Sequence, residues 1–96
     1  MSRDLSDFRS EIDLLDIELV KLIARRFSVV EAIAILKSEK DMPVFDQNRI
    51  GIVQDRVADL ARESGLSPEI ARRLWKAIIN EAILLEETII ENRTDD

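Results

Sequence analysis

Arg26 and Lys37 are cations set among apolar neighbours, in Leu22-Ile23-Ala24-Arg25-Arg26-Phe27 and Ile33-Ala34-Ile35-Leu36-Lys37, and they stand eleven residues apart. On a helix that separation is about 1100° of rotation, close to three whole turns, so the two share a face roughly 16 Å apart along the axis. Either one alone reads as a side chain snorkelling from a partly buried helix edge. Together they point to a grip on a small anion. The planar guanidinium of Arg26 suits a bidentate carboxylate contact, and the compact ammonium of Lys37 suits a point donor.

Arg9 lies seventeen residues before Arg26. That is roughly 25 Å along the same helix and about a quarter-turn off the shared face, too far for one small ligand to bridge within one copy. In an antiparallel dimer of long helices the partner's Arg9 arrives beside Arg26; otherwise Arg9 is a solvated charge near a helix start. Arg49, in the first turn of a second helix, is either a surface charge or a cation turned inward onto an anion. Glu86 follows Ile83-Leu84-Leu85 and is either an acid near a core face or the partner of one of these cations. Trp75, the only tryptophan, reads as a packing residue.

The alphabet narrows the chemistry. Histidine, cysteine and tyrosine are absent, which removes the usual general base, thiolate nucleophiles, disulfides and the commonest metal ligands. A reaction run by this chain therefore relies on positioning and electrostatics, with neither metal nor cofactor expected. The net charge of −6 argues against a nucleic-acid binder, so any anion site must be a local basic pocket. No apolar run approaches the ~20 residues of a membrane span, and Met1 to Asp7 lack the apolar core of a secretory signal. The expected setting is the cytoplasm, with no membrane and no nucleic-acid partner.

The elements that must position these side chains are helical. Hydrophobic residues make up 46% and charged residues 35% of 96 residues, with only two glycines and two prolines. The class is all-α, in one domain spanning 1–96. Apolar residues recur at helical spacing from Leu5 through Leu36, which predicts a first helix from about Leu5 to Lys37 or Glu39, capped by Asp4 or Ser6. Such a helix is roughly 50 Å long, well beyond the ~26 Å width of a 100-residue domain, and a second copy of the chain is its simplest cover. Pro43 breaks the pattern, and Asp46 is the expected cap of a second helix, Gln47 to Ser64, with Ile50, Val53, Val57, Leu60 and Ala61 inward. Gly65 closes it. Ser67-Pro68-Glu69 opens a third helix to about Glu91, with Ile70, Leu74, Ile78, Ile79, Ile83, Leu84 and Ile90 as its apolar positions. Arg93 to Asp96 read as a polar, frayed tail.

At this point the chain resembles a known family, the all-helical chorismate mutases. Phe8-Arg9-Ser10-Glu11-Ile12-Asp13-Leu14-Leu15-Asp16 is similar to that family's "LRxxIDxLD" opening. Leu22-Ile23-Ala24-Arg25-Arg26, Lys37, Pro43-Val44-Phe45-Asp46-Gln47-Asn48-Arg49, Gly65-Leu66 and Trp75-x-x-Ile78-Ile79 follow in matching order. The resemblance covers about Leu5 to Glu91 and implies an intertwined homodimer with two equivalent pockets, each built from both chains. It implies the shikimate-pathway rearrangement of chorismate, a dicarboxylate, to prephenate for aromatic amino acid synthesis, without cofactor. By position, Arg9 is the cation supplied in trans, Arg26 binds a carboxylate, and Lys37 donates to the ether oxygen. Arg49 is a further pocket arginine, and Asp46 lies near the substrate hydroxyl.

Three positions depart from the commonest pattern: Ile50 where many relatives have glutamate, Ala82 where a hydroxyl is frequent, and Glu86 where glutamine often donates to the ether oxygen. They remain candidate substrate contacts, with Lys37, Glu86 and Arg26 as the catalytic set. The departures keep open an isochorismate-pyruvate lyase and a mutase of 4-amino-4-deoxychorismate, whose ammonium Glu86 would suit. A helical dimerisation or regulatory module is the non-enzymatic reading. An ionised carboxylate cannot donate a hydrogen bond, whereas a protonated one can. If Glu86 is the second ether-oxygen donor, turnover favours mildly acidic pH; a rate that stays flat between about pH 5 and 8 removes it from that role.

Overall fold

The computed structural model describes residues 2–94; Met1, Asp95 and Asp96, the last two in the expected polar tail, lie outside the described residues. Three helices follow in order, α1 (Leu5–Glu39), α2 (Gln47–Ser64) and α3 (Pro68–Thr94). Asp4 caps α1 by accepting from the Asp7 backbone amide at 3.0 Å, while the Asp7 carboxylate accepts from the Asp4 amide at 3.1 Å. This reciprocal arrangement satisfies two of the donors that a helix start leaves unpaired. Asp41, at φ 55°, turns the chain out of α1, and the Met42 amide reaches back to the Lys37 carbonyl at 2.8 Å. Asp46 caps α2 through the Arg49 amide at 3.0 Å, and Ser67 caps α3 through the Ile70 amide at 3.4 Å.

The third helix runs past the expected end at Glu91, through Arg93 and Thr94. Part of the predicted tail is helical, and Arg93 reaches Glu39 at the end of α1, 3.7 Å away. A cation in the last turn also suits the helix dipole.

Both other helices pack on α3, and α1 and α2 do not pack on each other. The core joins Val53, Val57 and Ala61 of α2 to Ala71 and Ile79 of α3, flanked by Ile50, Trp75 and Ile83. Small residues do much of the closing: Ala34, Ala58, Ala71 and Ala82 are buried where helices approach. Leu60, expected inward, is exposed instead, as are Ile70, Leu74 and Leu84 among the expected apolar positions of α3. Because α1 and α2 both pack on α3 but not on each other, the three helices enclose no common centre, and part of the apolar surface of each, α3 included, stays uncovered.

The long first helix is the extreme case. Of its residues only Val30 and Ala34 are buried, while Phe8, Ile12, Leu15, Leu19 and Leu22 line an exposed apolar stripe. The chain measures 62 × 28 × 14 Å, with a radius of gyration of 17.3 Å where about 13 Å is usual for this length. It exposes 7688 Å², roughly 2,000 Å² more than a compact monomer of 11.0 kDa. No helix among the described residues is long and apolar enough to cross a membrane.

Gly65 closes α2 at φ 79°, with its amide on the carbonyls of Ala61 and Arg62. A Cβ there meets no neighbouring atom, so the conformation alone demands glycine. Gly65→Ala is expected to destabilise the protein by about 1 kcal/mol, read as a lower urea midpoint at unchanged m-value.

Candidate functional site

Because α1 and α2 stand apart on α3, a trough of about 470 Å³ remains between them, within the usual size range of a small-molecule site. Three helical stripes build it. From α1 come Arg26, Val29, Val30, Ile33 and Lys37, spaced by threes and fours along one face. The second helix contributes Arg49, Ile50, Val53 and Arg56 beside its cap Asp46, and α3 supplies Ile79, Ala82, Ile83 and Glu86 as the floor. Val44, in the connection between α1 and α2, closes one end.

Every candidate drawn from the sequence except Arg9 lines this one cavity: Arg26, Lys37, Asp46, Arg49, Ile50, Ala82 and Glu86. The expectation that Arg26 and Lys37 share a face is met. Of the adjacent pair Arg25 and Arg26, it is Arg26 that is half-buried. Arg9 is exposed on the outer part of α1 and takes no part in the trough of its own chain, as its distance along the helix requires.

Lys37 is fixed from two sides. Its ammonium donates to the Val44 carbonyl at 3.0 Å and lies 2.9 Å from Oε1 of Glu86. Both expected readings of Glu86 hold: it is an acid buried on the core side of α3, and it is the partner of Lys37. Glu86 is buried, and its Oε1 finds no aligned hydrogen bond although the ammonium is within ion-pair distance. We read this as a charge–charge contact whose hydrogen-bonding capacity is not used up. Both side chains are largely removed from solvent, at 17% and 9% exposure, so the attraction is little screened.

The arginines are in the opposite condition. Arg26, Arg49 and Arg56 all line the trough, and among the described residues none of their guanidinium groups is paired with a carboxylate. Burial pushes the Arg26 guanidinium below its ordinary value, and the like charges of Arg56 and then Arg49 push it the same way. A guanidinium stays charged at any working pH, so the lowering registers the cost of burying a cation among like charges rather than a loss of charge. An incoming anion relieves that cost.

Arg56 was not singled out from sequence. Its signal was available: it falls seven residues after Arg49 and three after the buried Val53, on the inward face of α2. Val44 as the acceptor for Lys37 had no sequence signal, because a backbone carbonyl in a connection is placed only by the path of the chain.

The comparisons with known proteins agree with this geometry. Residues 8–87 match the family model described as chorismate mutase type II. The chain is 31% identical over 98 residues to the chorismate mutase of Methanocaldococcus jannaschii, covering 97% of this chain and 99% of that protein. It is 30% identical over 91 residues to the 4-amino-4-deoxychorismate mutase of Streptomyces venezuelae, covering 95% and 88% respectively. A bifunctional chorismate mutase/prephenate dehydratase of Buchnera aphidicola is 31% identical over 93 residues; there the match covers 97% of this chain but only 24% of the longer protein. With the family model matched along most of its length, this chain belongs to the chorismate mutase type II family.

Proposed function

We propose that this chain is a chorismate mutase, an isomerase that rearranges chorismate to prephenate in one domain with residues of the trough as its site. The observation that carries the reading is a cation-rich, histidine-free cavity in a member of this family, with Arg26 and Lys37 held on one face of α1. Relatives named as chorismate mutases support it over the lyase and the non-enzymatic module. A biosynthetic reaction of this kind suits the cytoplasm.

The chemistry asks for what the trough offers. In the rearrangement the ether C–O bond breaks as a C–C bond forms within one molecule, so no nucleophile, base or cofactor is called for. The enzyme selects the folded conformer in which the two ends meet, and it stabilises negative charge growing on the ether oxygen. In this proposal Arg26 and Arg49 take carboxylates, and the apolar walls Val30, Ile33, Ile79 and Ile83 enclose the folded carbon frame. Lys37, with one proton committed to Val44, donates another to the ether oxygen. Asp46, with Oδ1 on the Arg49 amide, has its second oxygen for the substrate hydroxyl. Ile50 and Ala82 shape the wall without polar contact. Glu86 orients Lys37 as its counter-ion; to donate to the ether oxygen itself it must take up a proton and give up that ion pair.

A second copy of the chain belongs to the same proposal. The exposed stripe on α1 and the excess surface are of the size that a permanent dimer covers. An antiparallel partner carries Arg9 to the open side of the trough, where it completes the cation set.

Incubation with chorismate is expected to yield prephenate. Pyruvate plus salicylate from isochorismate identifies a lyase, faster turnover of 4-amino-4-deoxychorismate identifies the amino-substrate mutase, and no turnover leaves the module. Lys37→Ala is expected to lower kcat by about 10²-fold, the scale of one oxyanion donor. It also strands a buried carboxylate, at a cost of roughly 3 kcal/mol in stability. Adding Glu86→Ala should restore much of the stability and none of the activity. Unchanged turnover in Lys37→Ala sinks the donor assignment.

The trans arrangement has its own signature. Arg9→Ala and Arg26→Ala proteins are each expected to be nearly inactive. Unfolded and refolded together, they should recover about a quarter of wild-type activity, because half the dimers are mixed and each mixed dimer holds one intact site. No recovery means that both arginines act within one chain.

A further inference from the structure

The trough holds one more cation than the proposed roles use. Arg56 stands two turns after Arg49 on α2 and faces the same cavity. Acids are at hand on its own helix, with Asp55 beside it and Asp59 one turn further on, but each is committed elsewhere. Asp55 pairs with Arg72 at 3.2 Å and Asp59 with Arg62 at 2.7 Å. Among the described residues Arg56 thus has no carboxylate partner, and it lines a cavity already occupied by Arg26 and Arg49.

Charge accounting gives the reason. The charged groups facing the trough are Arg26, Lys37, Arg49 and Arg56 against Asp46 and Glu86. Glu86 is spent on Lys37, and Asp46 caps α2 through its Oδ1. The three arginines are left for a guest bearing two negative charges. Arg56 lines the same cavity as Arg26 from the facing helix, and its like charge adds to the burial that pushes the Arg26 guanidinium below its ordinary value.

We propose that Arg56 is a substrate-binding residue, the second arginine on the carboxylate that Arg26 takes, so that this carboxylate is held from α1 and α2 at once. The inference rests on the dicarboxylate reading of the trough. Arg56 is exposed at the rim and far in role from the breaking bond, so its contribution is uniform binding: it acts on affinity and not on the chemical step. Its long, solvated side chain also draws the dianion toward a protein whose net charge is −6.

The test compares wild type, Arg56→Gln and Arg56→Lys in steady-state turnover of chorismate at low ionic strength, with thermal unfolding followed in parallel. For Arg56→Gln we expect KM to rise about tenfold while kcat stays within about threefold, the lysine variant recovering part of the loss. The difference in KM should shrink as salt is added. Without ligand, the glutamine variant should melt at or above the wild-type temperature, because a repulsion has been removed. Isophthalate, a rigid aromatic dicarboxylate, should raise the melting temperature of wild type more than that of Arg56→Gln. A KM within about twofold of wild type together with equal protection by isophthalate overturns the assignment and leaves the mutase reading standing. A joint fall in kcat and in ligand-free stability makes Arg56 structural, which also overturns it. If wild type leaves chorismate unchanged but isophthalate still protects it more than the variant, the reaction is wrong and the role of Arg56 holds.

Discussion

Like charges repel, and this fold holds Arg26, Arg49 and Arg56 around one cavity with no carboxylate paired to any of them among the described residues. The repulsion is tolerable because the side chains stand on separate or well-spaced points of two helices whose backbones stay apart. Their common support is α3, and the apolar packing of Val53, Val57 and Ala61 on Ala71 and Ile79 supplies the stability that the cations oppose. A site built in this way is preorganised: the field that an anion meets exists before it arrives, so no rearrangement has to be driven at the moment of binding.

Lys37 is arranged differently, in keeping with the different task proposed for it. A carboxylate-binding arginine works with its fork open to the guest, whereas a donor aimed at a single ether oxygen must not wander along its flexible stem. Val44 and Glu86 restrict that stem from two sides, the first through a backbone carbonyl whose position depends on the connection between α1 and α2. The burial of Glu86 is intelligible in this light. A lone carboxylate on the floor of an apolar trough would be costly, and its ammonium neighbour offsets the cost while gaining a fixed orientation.

The shape of the chain carries the same logic outward. An α1 of 35 residues is far longer than the part of α3 it packs against, and its apolar face continues past the contact. The exposed stripe and the position of Arg9 outside the trough of its own chain are the two observations behind the proposed second copy.

Much of this was legible in the residues. The caps at Asp4, Asp46 and Ser67, the closing Gly65 and the helical spacing of apolar side chains fix the three helices to within a few residues, because capping and periodicity are local and need no partner. The shared face of Arg26 and Lys37 followed from the same geometry, since an eleven-residue separation constrains direction wherever the helix goes. Tertiary structure alone decided which apolar faces are covered, leaving Leu60 and Leu74 exposed while the alanines close the core, because helix packing is set by how near backbones approach and not by hydrophobicity alone. It decided too that Glu86 meets Lys37, that Val44 turns its carbonyl to the ammonium, and that Arg56 joins the other arginines. Glu86 meets Lys37 and Arg56 meets Arg26 across helices distant in sequence, and Val44, though near Lys37 in the chain, is placed by the path of the connection; no local pattern encodes any of these placements.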